Sequence, residues 1–117
     1  MRFMMLMIPL GFETAPPKID LDPERVKAMM QYNQALKDAG VLIALDGLHP
    51  PSAGARVSFA TGKPVVTDGP FTESKEVLGG FIIIKAHSLD RVRPWAERYV
   101  AEVGAEEVEI RLLADPE

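Results

Sequence analysis

The sequence predicts a single α+β domain, in which two helices cover one face of an antiparallel β-sheet. Its length of 117 residues suits one domain, and its apolar fraction of 47% is sufficient for a core. The predicted elements follow the order strand, helix, strand, hairpin, strand, helix, strand. Two βαβ halves separated by a β-hairpin form the ferredoxin-like arrangement.

The first half begins with an apolar strand at residues 3–8, which Pro9 ends. Asp22-Pro23 has the pattern of a helix start, with an N-cap followed by proline at the first helical position. Gly40 marks the helix end, and a second strand covers residues 41–48. We expect one face of the helix to carry Val26, Met29, Met30, Asn33 and Leu36.

A loop must follow the second strand, because two consecutive prolines at residues 50–51 cannot join a β-ladder. Residues 55–60 and 64–67 are predicted to form a hairpin around Thr61-Gly62-Lys63. Residues 80–86 form the next strand.

The second helix is expected to begin after Ser88 and to end at Gly104. Pro94 should kink its first turns or delay its regular part until that residue. Residues 107–113 alternate between apolar and charged side chains, which predicts a final strand. The face of the helix that should be buried carries Val92, Trp95, Tyr99 and Val103.

The predicted strands indicate self-association. In a sheet with one solvent-exposed face, apolar and polar residues alternate along each strand. The predicted strands at residues 3–8, 41–45 and 81–84 are instead apolar on both faces. The exposed face would form a larger apolar patch than monomers usually tolerate. We therefore expect a homodimer through the sheet face; the alternative is that residues 9–21 fold across it.

Composition excludes several classes of function. The net charge of −4 and the absence of a Lys/Arg cluster argue against a nucleic-acid partner. Without cysteine and with two histidines, the chain is expected to hold no metal and no cofactor. No segment is long enough to span a membrane, and the apolar start is too short for a signal peptide, so a cytoplasmic protein is expected.

The most distinctive segment is residues 65–81, VVTDGPFTESKEVLGGF. Its Asp68-Gly69-Pro70-Phe71 resembles the signature of the DGPF subgroup of the YCII-related domain family, and the likeness extends over nearly the whole chain. It implies a single domain over residues 1–117. Further matching stretches are Gly47–Pro51, Glu73–Glu76, Gly79–Phe81, Ser88–Asp90, Trp95-Ala96 and Val108–Arg111.

This resemblance implies a dimeric α+β barrel but no generally established reaction. Members of the subgroup are often encoded beside sigma factors of the extracytoplasmic-function type. Founding members of the family are proposed to use a histidine on the first helix together with an aspartate. The predicted helix at residues 23–39 has no histidine, and Tyr32 and Asn33 lie in that region. That pair therefore cannot be carried over.

His49 and Asp68 are the candidate catalytic residues. His49 could act as a general base if Asp68 or Asp46 orients its ring; the alternative, which the two following prolines favour, is a loop histidine without a catalytic role. Asp68 could be an acid or base if the loop buries it and raises its pKa. The alternative for Asp68, which turns of this type favour, is a hydrogen bond to the backbone two residues further on.

Phe71, Glu73, Lys75 and Glu76 are the candidate ligand-binding residues. Phe71 could wall an apolar pocket, and the three charged residues could bind a polar substrate; the alternative for these charges is a solvated cluster. Tyr32 and Trp95 are expected to pack rather than to bind.

The leading hypothesis is a protein that binds a small organic ligand in a cleft near the DGPF loop, with cofactor-independent acid–base catalysis as its chemistry if it is an enzyme. The alternative is a non-catalytic regulatory or interaction module linked to sigma-factor signalling. A third possibility is a structural dimer stabilised by the signature segment.

Overall fold

The computed structural model describes residues 1–9, 22–69, 78–104 and 107–114. Its regular elements are β1 (Arg2–Ile8), α1 (Pro23–Asp38), β2 (Leu42–Gly47), β3 (Ala55–Ala60), β4 (Lys63–Asp68), β5 (Gly80–Lys85), α2 (Leu89–Arg98) and β6 (Glu107–Leu112). A 3₁₀ turn covers Pro51–Ala53, and a π-helical turn covers Tyr99–Val103.

Four strands form one antiparallel sheet in the order β2-β5-β1-β6, and β3 pairs with β4 in a separate two-stranded sheet. This is the ferredoxin-like order with a hairpin inserted between β2 and β5. The predicted α+β fold class is therefore confirmed.

Both ends of α1 use the predicted capping residues. The Asp22 carboxylate accepts a hydrogen bond from the Glu24 backbone N–H at 3.1 Å. At the other end Gly40 has a φ of +71°, and the N–H of Val41 donates to the Leu36 carbonyl at 3.3 Å. Together with the bond from the Gly40 N–H to Lys37 at 3.0 Å, this forms a Schellman motif, which needs a left-handed residue such as glycine.

The core lies between the two helices and one face of the sheet. β1 and β5 supply alternate residues to it, as the period of two requires. The buried apolar side chains are Phe3, Met5, Met7, Tyr32, Leu36, Ile82, Ile84, Val92, Ala96, Tyr99 and Val103.

Two details of this core differ from the sequence prediction. Met30 was expected on the buried face of α1, but its side chain is 67% exposed, and Tyr32 is buried instead. In β2, a bulge between Leu42 and Ala44 shifts the register, so that Leu42 pairs with Ile84 and Leu45 with Ile82. Strict alternation would place Leu42 and Leu45 on opposite faces; the bulge places them on the same one.

Pro94 does not set the start of α2. The helix begins at Leu89 and continues through Pro94, which is exposed. The irregular part comes later, in the π-helical turn, where the Gly104 N–H donates to the Tyr99 carbonyl at 3.2 Å. Gly104 then ends the element with a φ of +92°, as the sequence predicted.

The other face of the sheet is apolar along its centre. Met4, Leu6, Phe81 and Ile83 lie there in cross-strand register and are half-buried in the single chain. On the edge strand β6 the same face carries charged side chains, namely Glu107, Glu109 and Arg111. We call this surface the open face.

The β3–β4 hairpin is exposed along both strands. Thr61 and Gly62 both have positive φ, at 50° and 80°, which is the pattern of a two-residue type I′ turn. One side of the hairpin is apolar, with Val57 opposite Val66 and Phe59 opposite Pro64. The radius of gyration of 16.0 Å exceeds the roughly 13 Å of a compact domain of this length.

None of the helices within the described residues has the length and apolar character needed to cross a membrane.

Candidate functional site

The last residues of the signature segment, 78–81, lie at one end of the four-stranded sheet, where β1 and β2 end and β5 begins. The Gly79 N–H donates to the Met7 carbonyl at 2.7 Å, and the Leu48 N–H donates to the Gly79 carbonyl at 2.9 Å. A Cβ on Gly80 would lie 2.9 Å from the Asp46 carbonyl oxygen. Glycine at position 80 therefore permits a close approach of the two backbones. We call this region the motif end of the sheet.

Gly69 holds the base of the hairpin against the 3₁₀ turn. Its N–H donates to the Gly54 carbonyl at 2.9 Å. A Cβ at this position would overlap the Pro51 carbonyl group and lie 3.1 Å from the Ser52 nitrogen. The 3₁₀ turn is itself anchored by Pro50, whose side chain is fully buried. The glycine of the signature is thus required by packing rather than by an unusual backbone angle.

This packing brings the backbones of the two candidate catalytic residues into one region. His49 directly precedes Pro50 and the turn, and Asp68 directly precedes Gly69, which packs on that turn. Both side chains are exposed. Within the described part of the chain no hydrogen bond joins His49 to Asp68, and the Asp46 carboxylate accepts instead from the Gly47 N–H at 3.0 Å.

The other predicted site residues are not covered by the described structure. Phe71, Glu73, Lys75 and Glu76 lie outside it, as does residue 70, which the proposed turn at Asp68 involves. Their ligand-binding roles and the turn role of Asp68 stay predictions. The same holds for the expectation that residues 9–21 could cross the sheet, since residues 10–21 lie outside the described ranges.

Tyr32 joins the two helices, as the packing prediction required. Its hydroxyl donates to the Trp95 carbonyl at 2.7 Å. Its ring meets those of Trp95 and Tyr99 edge-on, with centroid distances of 6.0 and 5.2 Å. Burial raises the pKa of Tyr32 well above its usual range, and burial also raises the pKa of Tyr99, an effect that Arg25 opposes. A neutral, hydrogen-bonded phenol of this kind is suited to packing rather than proton transfer.

A feature missed by the sequence analysis lies at the opposite end of the sheet. There His87, to which no sequence motif assigns a role, lines a groove together with Lys85, Arg91 and Trp95. These side chains come from a strand end, a connecting segment and the first turns of a helix. The fold brings these side chains together around one space. In the sequence, the only indication of this is that they lie close to one another along the chain.

The motif end can offer a hydrogen-bonding surface to a ligand. An imidazole and two carboxylates are exposed there: His49 follows β2, Asp46 lies near the end of β2, and Asp68 ends β4. Exposed imidazole and carboxylate groups can donate hydrogen bonds to the polar groups of a ligand and accept them.

Comparisons with known proteins give a fold and a family. The solved structure of the 5-chloro-2-hydroxyhydroquinone dehydrochlorinase TftG from Burkholderia phenoliruptrix AC1100, in complex with 2,5-dihydroxybenzoquinone, is similar with a TM-score of 0.51 and 14% identity. The similarity covers 99% of this chain and 96% of that one. At this level of identity it establishes the α+β fold alone.

A curated relative is the uncharacterized protein R00369 of Rhizobium meliloti (strain 1021), 41% identical over 59 residues. The match covers 50% of this chain and 48% of that protein, so about half of the relative's length is spanned. The model of the YCII-related domain matches residues 1–114, nearly the whole sequence. The chain therefore belongs to the YCII-related domain family.

Proposed function

We propose that this protein binds a small organic molecule at the motif end of the sheet, in a cleft beside Asp68 and Phe71. The observation that carries this proposal is the packing of Gly69 on the Pro51 turn. It holds the backbone of Asp68-Gly69 against the turn that follows His49, so that two connections of the chain meet in one region. Loops held on a rigid scaffold are the usual place for binding residues.

The dehydrochlorinase structure supports this class of ligand, because that protein of the same fold is bound to a small quinone. In the proposed site Phe71 packs on the apolar part of the ligand. Glu73, Lys75 and Glu76 bind its polar groups. If the bound molecule is transformed, His49 and Asp68 are the acid–base groups, and no cofactor is required for such proton transfers.

A ligand titration tests this proposal. We would follow backbone amide NMR signals while adding 2,5-dihydroxybenzoquinone, and then a panel of small phenols and carboxylic acids. Saturable shifts are expected at His49 and around Asp68, and Asp68→Asn should weaken binding at least tenfold. The matched control is Asp38→Asn on α1, where the amide oxygen still accepts the 2.9 Å hydrogen bond from Gln34. Equal binding by both variants would reject the assignment of Asp68.

We further propose that the protein forms a homodimer through the open face. The apolar centre of that face and the exposed apolar side of the hairpin support this, as does the large radius of gyration of the single chain. Leu6 lies near the centre, and Leu6→Lys should convert the dimer to a monomer because a charge would be buried at the contact.

Sedimentation velocity of the wild type and of Leu6→Lys tests whether the protein is a dimer and whether the variant is a monomer. The control is Gln31→Lys on the exposed side of α1, which adds the same charge away from the open face. A wild-type protein that sediments as a monomer over the micromolar range would overturn the proposed assembly.

A second candidate is a non-catalytic interaction module. The exposed side of the hairpin favours it, because Phe59 is 78% exposed and Val57 and Val66 are each 65% exposed. Phe59→Ser separates the two uses of this surface. If the variant stays dimeric, the hairpin is free to bind another protein, whereas dissociation assigns the hairpin to the homodimer.

A further inference from the structure

A groove of about 600 Å³ lies between the helices at the end of the sheet opposite the motif end. The loop that follows α1, the last residues of β5 and the first turns of α2 form its walls. Side chains or backbone of Val41, Ile84, Lys85, His87, Arg91 and Trp95 line it. The six residues of β5 separate it by roughly 20 Å from the motif end.

Backbone hydrogen bonds fix these walls. The Schellman motif at Gly40 directs the chain from α1 into Val41. The Lys85 N–H donates to the Val41 carbonyl at 2.9 Å, and the Ala86 N–H donates to the Met1 carbonyl at 3.0 Å. Backbone hydrogen bonds thus hold the segments that line the groove in place.

The charge of the groove is positive, although the protein carries a net charge of −4. Lys85, His87 and Arg91 are among the lining residues, and the lining includes no aspartate or glutamate. Nearby Asp90 pairs with Arg93 at 2.7 Å. Across the described ranges of the chain, no acidic side chain forms an ion pair with any of the three basic residues of the groove.

The groove also offers apolar surface. Arg91 and Trp95 are four residues apart on α2 and therefore lie on the same side of the helix. The half-buried side chains of Val41 and Trp95 supply this apolar surface, whereas Ile84 is fully buried and belongs to the core beneath the groove. The volume falls within the range of small-molecule sites, which combine apolar walls with a few charged groups.

We propose that this groove binds a small organic anion, with its carboxylate near Arg91 and His87 and its apolar body against Trp95. An arginine guanidinium can bind a carboxylate through two parallel hydrogen bonds. The ligand class is therefore a monocarboxylate with an aliphatic or aromatic body. This site is independent of the ligand proposed for the motif end.

Binding can be followed by the fluorescence of Trp95, because it is the only tryptophan in the sequence. We would titrate the full chain with cyclohexanecarboxylate and record tryptophan emission. Cyclohexylmethanol serves as the neutral analogue, and inorganic phosphate serves as an anion without an apolar body. We expect a saturable change in emission with the carboxylate over the millimolar range, and binding at least tenfold weaker for both other probes.

Variants then test the assignment of the basic residues. Arg91→Gln should weaken carboxylate binding about tenfold or more, since it removes a charge-assisted contact. Arg93→Gln is the matched control, because it removes the same charge two residues away on the same helix and lies outside the groove. The control should bind as the wild type does, and so should Asp68→Asn at the motif end.

Four results would overturn the proposal: no saturable change in emission, equal binding of the neutral analogue, equal binding of phosphate, or equal weakening by Arg91→Gln and Arg93→Gln. Arg91 is exposed, so the variants are expected to fold, and matching circular dichroism spectra check this. Loss of quinone binding at the motif end would leave this result unaffected.

Discussion

Replacement of Gly69 by alanine should release the hairpin from the rest of the protein. The added Cβ would overlap the Pro51 carbonyl group and lie 3.1 Å from the Ser52 nitrogen. Both of these partners are backbone atoms, which cannot rotate away as a side-chain end can. The chain at position 69 must therefore move, and the 2.9 Å hydrogen bond from its N–H to the Gly54 carbonyl must lengthen or break.

The free-energy cost of Gly69→Ala follows from the steric overlap and from the weakened hydrogen bond. Forcing an extra methyl group into a packed site costs about 1–3 kcal/mol, and the net loss of a hydrogen bond is about 1 kcal/mol. The hairpin is solvent-exposed along both strands, so it can detach locally, and this limits the total free-energy cost of the substitution. We expect about 2 kcal/mol, which corresponds to roughly a thirtyfold loss of amide protection.

Native-state hydrogen exchange measures this effect residue by residue. Amides of β3 and β4 and of Gly69 should lose protection, whereas those joining β1 to β5 should retain theirs. Gly54→Ala is the matched control: its Cβ would lie at an ordinary 3.7 Å from the same Pro51 oxygen, and its backbone is extended. Unchanged protection in Gly69→Ala, or an equal loss in Gly54→Ala, would refute the reasoning.

Two other predictions concern the helices. Tyr32→Phe removes the hydroxyl that donates to the Trp95 carbonyl and should cost about 1 kcal/mol in denaturant unfolding at neutral pH. Because burial raises the pKa of Tyr32, its contribution holds below about pH 10, where the unfolded tyrosine ionises, and is lost above it. Above pH 10 the wild type should lose about 1.4 kcal/mol of unfolding free energy per pH unit relative to Tyr32→Phe, so the two proteins should become equally stable near pH 11. A difference in unfolding free energy that stays constant with pH would contradict this. Asp22→Ala should lower the free energy of unfolding by about 1 kcal/mol through loss of the N-cap bond to Glu24, and Asp22→Asn should restore most of it.

Much of the fold could be predicted because local chemistry determines it. Proline and glycine mark where elements start and stop: the capping residues Asp22 and Gly40 have the geometry that their sequence context predicts. The hairpin follows from Thr61-Gly62, and the order of elements leaves few topologies.

The errors arose where tertiary packing overrides local pattern. Met30 and Tyr32 both lie near the expected apolar stripe of α1, and Tyr32 is the one that packs against the rings of Trp95 and Tyr99. The bulge in β2 has no sequence signal, since Ile43 and its neighbours are all apolar. The π-helical turn likewise lies where the end of α2 meets the core, with Tyr99 and Val103 buried.

The site was predicted less well than the fold. Sequence pointed to the signature segment, yet its contact with the Pro51 turn joins residues that a whole hairpin separates. The basic groove escaped notice because Lys85, His87 and Arg91 form no motif. Their common charge matters only once the backbone places them around one space.

The edges of the four-stranded sheet bear on how the protein behaves at high concentration. β2 is interrupted by its bulge, and β6 carries Glu107, Glu109 and Arg111 on the open face. Irregular backbone and charged side chains are two features that disfavour the addition of a foreign strand to a sheet edge. Growth of the sheet by edge-to-edge pairing is therefore discouraged on both sides, and the folded chain should resist fibril-like polymerisation even when it is strongly overproduced.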